Sequence, residues 1–461
     1  MNSNVVIFGT GIFYERRKNT LPKEVNIIAF IDNNNSLQGK YIENISVYAP
    51  HSVSELNYDV IILASLTPIE MKNQLILLGV PSEKIMFWEE FVSSKTHGLV
   101  TKYEAEKDQG KKRALIILPF INYTGGSLAA IYAAIALKDK GYYVVLSAPA
   151  GNEDTILEIN SYKINVWLCT AIPYIEEAEL EWIQEFDFVM AIALQSILCV
   201  NRISKRKPVF WWLHEHSTPY NEYIKQYGNL IDDTAFTNVK IFAVSDIARS
   251  NFAKYYLEPK VEILPFGLPD FYVNGDIFHE KIVISIIGKI TSNKNQKELI
   301  YALKKLPLSV KDKLECWIIG SDGGKKYREE VNDIIKDFNQ IKILGEMSRN
   351  EIEKVFQQID IVVCTSLEET MSIAIVEGMM NQKICITNTN TGIAEFIQNN
   401  ENGFIYEAGN LEDLLLKLTY IIQNIESLNY IRKNARNTYE RYFSMNKFGD
   451  TIQTYLCDHM A

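Results

Sequence analysis

The chain has no pair of cysteines at metal or redox spacing, no long apolar run and no excess of positive charge. Its six cysteines, Cys169, Cys199, Cys316, Cys364, Cys385 and Cys457, are scattered without a C-x-x-C among them. Buried free thiols are therefore expected in place of disulfides or a zinc cluster. No apolar run approaches the roughly 18 residues that would span a bilayer, and no signal peptide is expected, which points to a cytoplasmic protein. Peripheral contact with the inner face of a membrane stays compatible, because a lipid-linked acceptor needs no spanning helix in its enzyme. The formal net charge of −10 argues against nucleic acid as the main partner. His214-Glu215-His216 is not an H-E-x-x-H helix motif, and no further Cys, His or Asp constellation accompanies it, so no metal site is expected.

What is present is enough apolar residue for several cores. Hydrophobic residues make up 47% of 461, so two to four domains are expected. Residues 1–95 read as a small Rossmann-like α/β domain. Val5 to Phe8, Asn26 to Ile31 and Val60 to Ala64 are strands, and Gly9-Thr10-Gly11 makes a tight turn after the first. The turn imitates G-x-G-x-x-G, with Asp32 in place as a ribose partner. Tyr14 holds the third glycine position, however, and Arg16-Arg17-Lys18 follows soon after. This domain is expected to be dispensable for chemistry and to serve oligomerisation or docking. Residues 96–112 are polar and read as a linker. A second unit, 113–272, opens with the strand Ala114 to Leu118, a loop with Gly125-Gly126-Ser127 and an apolar helix. Val209 to Leu213 is a buried strand that ends in His214, a position suited to sugar hydroxyls or a phosphate. A third unit, 273–445, opens with Ile282 to Ile287, then Gly288-Lys289 and Lys294, two cations able to neutralise a diphosphate. Residues 446–461 form a last segment.

The stretch Ser366-Leu367-Glu368-Glu369-Thr370-Met371-Ser372-Ile373-Ala374-Ile375-Val376-Glu377 is the most informative. It follows a mostly apolar strand, and a helix is expected from near Ser372. A strand, loop and helix N-terminus at the carboxyl edge of a sheet is where α/β folds bind ligands, anions above all. Glu369 and Glu377 are eight positions apart, roughly 12 Å in a continuous helix. That is poor spacing for an acid and a base on one bond. It suits the two ends of a long ligand with an anionic middle, such as a nucleotide-sugar. Two solvated carboxylates would show the same spacing.

The residues around that pair resemble a known family. Ser366-Leu367-x-Glu369, Ile373 and Glu377-Gly378-Met379 resemble the Glu-x7-Glu signature of the retaining family 4 glycosyltransferases, which have the GT-B fold of two Rossmann-like domains. Thr370-Met371-Ser372 stand where Gly-Phe-Gly is usual. Lys289 and Lys294 resemble the Gly-Arg…Lys-Gly motif, with lysine for arginine and Asn295 for glycine. Val261 to Leu268 resembles the passage that ends the first GT-B domain, so a hinge is expected near 268–280. The resemblance covers roughly 113–461. It implies α/β GT-B architecture preceded by the small N-terminal domain, with donor contacts at Gly126, Gly288, Lys289, Lys294, Gly345, Glu369, Thr370, Met371, Ser372, Ile373 and Glu377. It further implies catalytic roles for Glu369, His214, Lys294 and Lys289, no metal, and no cofactor besides the nucleoside-diphosphate-sugar substrate. The acceptor would be a glycan, a lipid-linked or a protein-linked group. The alternative is a non-catalytic GT-B protein that binds a partner glycosyltransferase or a glycan. A dehydrogenase or epimerase built on Gly9-Thr10-Gly11 lacks a well-placed Tyr-x-x-x-Lys.

Overall fold

The structure, a computed structural model, describes residues 3–65, 67–172, 174, 179–228, 236–257, 259–272 and 280–460, with 458–460 in backbone only. Apart from the last two residues, the chain forms two compact units, 1–212 with 217–241 and 213–216 with 242–459.

The first unit holds two sheets. The N-terminal sheet runs Tyr41–Ile42, Ile45–Tyr48, Val25–Ile31, Ser3–Phe8, Val60–Leu63, Ile85–Phe87, parallel except for the short hairpin at its edge. Its strands are apolar because both faces are covered; Val5, Ile7, Phe30 and Ile62 share a core with Tyr14, Trp88 and Phe91. Gly9 takes φ +100°, and a Cβ there would sit 2.7 Å from the Ala64 carbonyl oxygen, so the turn needs glycine on two counts. Tyr14 is buried edge-on against Phe30 and Trp88, with its hydroxyl on Glu43. One oxygen of Asp32 accepts from both the amide and the hydroxyl of Thr10, and the other accepts from the Asn34 amide. The turn is thus tied up by its own side chains.

The second sheet carries the parallel strands Val209–Leu213, Phe188–Ile192, Arg113–Ile117, Tyr143–Ala148 and Asn165–Cys169 in that order. The stretch 96–112, expected as a linker, contributes a strand to it: Val100–Tyr103 pairs antiparallel with Asn165–Cys169 at the edge. Mostly exposed polar side chains suit a solvent-facing edge, and the Lys102 ammonium lies 3.7 Å from the Trp167 ring centroid.

The second unit holds six parallel strands in the order Ile341–Gly345, Leu314–Ile319, Ile282–Ile287, Ile361–Val363, Ile384–Asn388, Phe404–Tyr406. Leu299 and Leu303 of Gln296–Lys305, and Leu414 and Leu418 of Leu411–Asn424, join Ile284, Ile286 and Ile318 in its core. The helix Ile373–Met380 packs on Asn429–Tyr442. Residues 268–270, expected at the start of a hinge, are held within this unit. The Leu268 amide donates to the Phe443 carbonyl, the Tyr439 hydroxyl donates to the Leu268 carbonyl, and Arg436 pairs with Asp270. The rest of that hinge and the 272/273 boundary fall largely on 273–279, outside the described residues.

Two strand ends of this sheet touch backbone to backbone. Gly320 has φ +149°, and a Cβ on it would lie 2.2 Å from the Gly288 carbonyl oxygen. Gly320→Ala is therefore expected to destabilise the protein by about 1–3 kcal/mol, the usual range for overpacking. A urea melt with an unchanged midpoint would show that the two strand-end loops can part freely.

Candidate functional site

The loop between Ile361–Val363 and Ile373–Met380 is pinned from several sides. The Thr365 hydroxyl donates to the carbonyls of Lys294 and Asn295 at 2.9 and 3.0 Å. The Leu367 amide donates to the Asn293 carbonyl, and the Asn293 amide group donates back to Glu368. Asn388 holds the Ser366 carbonyl, and Asn251 holds the Glu368 carboxylate. Gly392 closes the loop from above: a Cβ there would meet the Thr370 carbonyl oxygen at 1.9 Å and the Ser245 hydroxyl at 2.4 Å. These polar anchors let a short, glycine-free loop keep one shape.

Lys294 and Glu369 come together in this frame. The Lys294 ammonium forms a close ion pair with Glu369 Oε2, which also accepts from the Ser366 hydroxyl at 2.7 Å. Burial works against the charge on Lys294, yet the Glu369 carboxylate outweighs it and raises the lysine above its ordinary pKa. Glu369 Oε1 has no hydrogen-bond partner among the described residues. Lys289, expected to act as a twin of Lys294, differs from it. It is exposed, and among the described residues no carboxylate pairs with its ammonium. Gly288, beside it, packs on the Lys294 stem; a Cβ there would reach Lys294 Cε at 3.5 Å.

Glu377 sits inside the helix Ile373–Met380 and is 3% exposed. Burial raises its pKa, and the attraction of Arg349 only partly offsets this. The Arg349 guanidinium pairs with Glu377 Oε1, while Oε2 has no hydrogen-bond partner among the described residues. Arg349 also lies 4.7 Å from the Phe271 ring centroid. It escaped sequence reasoning because it lies far from Glu377 in the chain. The only local signal was the Ser348–Glu351 capping box that opens its helix.

The remaining expected site residues are distributed as follows. Thr370 Oγ1 donates to the His214 carbonyl at 2.7 Å, a bond within the second unit. Burial pushes the His214 pKa down to about 3, which leaves a neutral imidazole at ordinary pH. Met371 and Ser372 are buried, and Ser372 precedes the first residue of the helix, Ile373. Gly345 has φ +78°, and its carbonyl accepts from the Gly320 amide. Gly126 lies in the first unit, in the opening turn of Gly125–Asp139, with nothing within 4 Å of the position a Cβ would take. Among the described residues no group of three or more His, Cys, Asp or Glu is placed to hold a metal, and no helix is long and apolar enough to cross a membrane.

The two large parallel sheets, with their site loops at the carboxyl ends of the strands, define a GT-B architecture preceded by a small Rossmann-like α/β domain. Residues 273–438 match the family model of the glycosyl transferases group 1, and residues 1–86 match C2185-like, N-terminal. A glycosyltransferase from Rickettsia africae superposes with a TM-score of 0.65 at 20% identity, over 76% of this chain and 99% of that one. Anabaena HepE, solved in complex with UDP, superposes with a TM-score of 0.63 at 18% identity, over 75% of this chain and 100% of that one. Such likenesses establish the fold. Among curated proteins, an uncharacterized glycosyltransferase of Methanocaldococcus jannaschii is 27% identical over 162 residues, 35% of this chain and 44% of that protein. The Escherichia coli UDP-Gal:alpha-D-GlcNAc-diphosphoundecaprenol alpha-1,3-galactosyltransferase is 26% identical over 220 residues, 44% of this chain and 56% of that protein. The chain spans about a third to just over half the length of the curated relatives it matches. Residues 273–438 thus resemble the glycosyl transferases group 1, and the structural neighbours establish the GT-B fold.

The state of His214 has a measurable consequence. Its folded pKa of about 3 lies below the ordinary histidine value, so between the two the unfolded chain binds the extra proton. Stability is then lost as pH falls below about 6.5. Replacing the group by His214→Gln is expected to remove that part of the acid destabilisation. Urea melts at pH 7.5 and pH 5 measure it. A stability difference between wild type and variant that is the same at both pH values contradicts a buried neutral imidazole.

Proposed function

We propose that the protein is a retaining, metal-independent hexosyltransferase that moves a sugar from a nucleoside-diphosphate-sugar to a glycan, glycolipid or protein-linked acceptor, in the synthesis of a cell-surface polysaccharide or glycoconjugate. One observation carries the reading. Glu369 and Glu377, at opposite ends of one loop-helix segment, each commit one oxygen to a cation and keep the other clear of hydrogen bonds among the described residues. Lys289 stands near Lys294 in sequence, and no carboxylate pairs with its ammonium among the described residues. A carboxylate so held accepts from sugar hydroxyls without having to be ordered first. The family match over 273–438, the UDP complex of HepE and the UDP-galactose donor named for the E. coli relative support a nucleoside diphosphate as the donor's leaving half.

On this reading Glu369 holds the donor sugar and Glu377 the ribose. The acceptor oxygen forms its bond to the anomeric carbon on the face from which the diphosphate leaves. The carbon–oxygen bond to phosphate breaks with its electron pair on the diphosphate, which takes the hydroxyl proton. Lys289, Lys294 and the N-terminal amides of Ile373–Met380 stabilise the charge that gathers there. Lys294 is anchored by Glu369, so it supplies a positioned charge. Lys289 is unanchored and closes onto the phosphate when the donor arrives.

A screen of nucleotide-sugars for hydrolysis and thermal stabilisation identifies the donor. With it, Lys289→Ala and Lys294→Ala are each expected to lose about 2–4 kcal/mol of transition-state stabilisation, thirtyfold or more in kcat/KM. Only Lys294→Ala should also lower Tm, since it strands the Glu369 charge. Near-normal turnover in both variants would sink the assignment.

The carboxylates should separate kinetically. Ribose hydroxyls are the same in ground and transition states, so Glu377→Gln mainly raises the donor KM. The sugar becomes cationic as its bond breaks, so Glu369→Gln mainly lowers kcat. Two variants with the same kinetic signature contradict a grip at two ends of one donor. Tight donor binding with no turnover on any acceptor favours a non-catalytic binding protein.

A further inference from the structure

In the first unit, loops at the carboxyl ends of both sheets open onto one cavity. Parallel sheets bind ligands at that edge, and here two such edges converge. Arg17 and Glu89 of the N-terminal domain line the cavity, together with Gln195, Tyr223, Gln226 and Tyr227 from the other sheet's side.

Arg17 is the unusual group. It is 9% exposed, yet of its five donors one hydrogen bond is made among the described residues, from Nη2 to the Pro119 carbonyl at 2.9 Å. Glu89 lies 3.8 Å from Nη2, near enough for charge balance but beyond a hydrogen bond. The Phe13 and Phe120 ring centroids lie 5.7 and 5.3 Å from the guanidinium carbon. The other donors of this largely buried guanidinium keep some contact with solvent, and a ligand that supplies oxygens can replace that water. Around it, the Tyr223 and Tyr227 rings stack at 6.1 Å, and the Gln195 side chain bonds the Tyr223 hydroxyl.

Flat aromatic surface beside an amide, a guanidinium and a carboxylate matches a sugar ring, which is apolar on its faces and both donor and acceptor at its rim. Arg17 and Glu89 cancel in charge, which disfavours a phosphate. The dinucleotide-like turn next door is occupied by Tyr14 and by the Thr10–Asp32 bonds. We propose that this cavity is a subsite for a neutral sugar unit of the acceptor, so that the N-terminal domain docks the acceptor glycan. The proposal rests on the glycosyltransferase reading for the word acceptor, but sugar binding at the cavity is testable without it.

The test is saturation-transfer NMR on the full-length protein with the methyl α-glycosides of glucose, galactose and N-acetylglucosamine as probes, with and without UDP. At least one glycoside is expected to receive saturation that excess UDP does not remove. Gln226→Leu and Arg17→Gln should each cut it at least fivefold at unchanged Tm. If Arg17→Gln does not fold, Ser65→Trp, which fills the cavity from its other wall, replaces it. No glycoside signal, a signal unchanged in the variants, or displacement by UDP or by inorganic phosphate each overturns the subsite. Lys289→Ala should lose UDP binding and keep the glycoside. UDP binding without glycoside binding therefore fails the subsite alone, and glycoside binding without UDP binding fails the donor reading alone.

Discussion

The ion pair between Lys294 and Glu369 is the constraint on which the arrangement at the third sheet depends. A lysine drawn partly out of water loses more than it gains unless a carboxylate meets it. Glu369 does so only because Ser366, Thr365, Asn293 and Asn388 fix the loop that carries it. Glu377 shows the same contest with the opposite outcome: burial exceeds the attraction of Arg349, and the carboxyl is raised.

Glycine does the complementary work. At Gly320, Gly323 and Gly392 the neighbouring atoms leave no room for a Cβ, so the strand-end loops lie backbone against backbone. The site can then be lined by side chains from distant segments without a wide gap at its floor. The loop after Glu369 carries no glycine, and its rigidity comes from hydrogen bonds made by polar side chains elsewhere.

The N-terminal domain repeats the Rossmann plan but spends its ligand-binding features on itself. Asp32 accepts three hydrogen bonds from its own turn, and Tyr14 fills the space a third glycine would keep open. Its carboxyl edge is given over to a cavity shared with the next sheet, lined by the Arg17 guanidinium, which makes one hydrogen bond among the described residues.

Reading residues in order was sufficient for the parallel sheets, because a strand covered on both faces reads as a near-continuous apolar run, as Val209–Leu213 is and as Ile282–Ile287 is but for Ser285. It was sufficient also for the helix beginning after Ser372, and motif spacing, a local property, singled out Glu369, Glu377, Lys289 and Lys294 as candidates. The strand at Val100–Tyr103 was not legible, because an exposed edge has no apolar signature to show. Nor was the difference between the two lysines, or the partnership of Arg349 with Glu377. Those depend on which side chains folding brings within a few ångströms, and on how much water it removes from each charge. Contact and burial are properties of the packed chain, so only the tertiary structure could decide them.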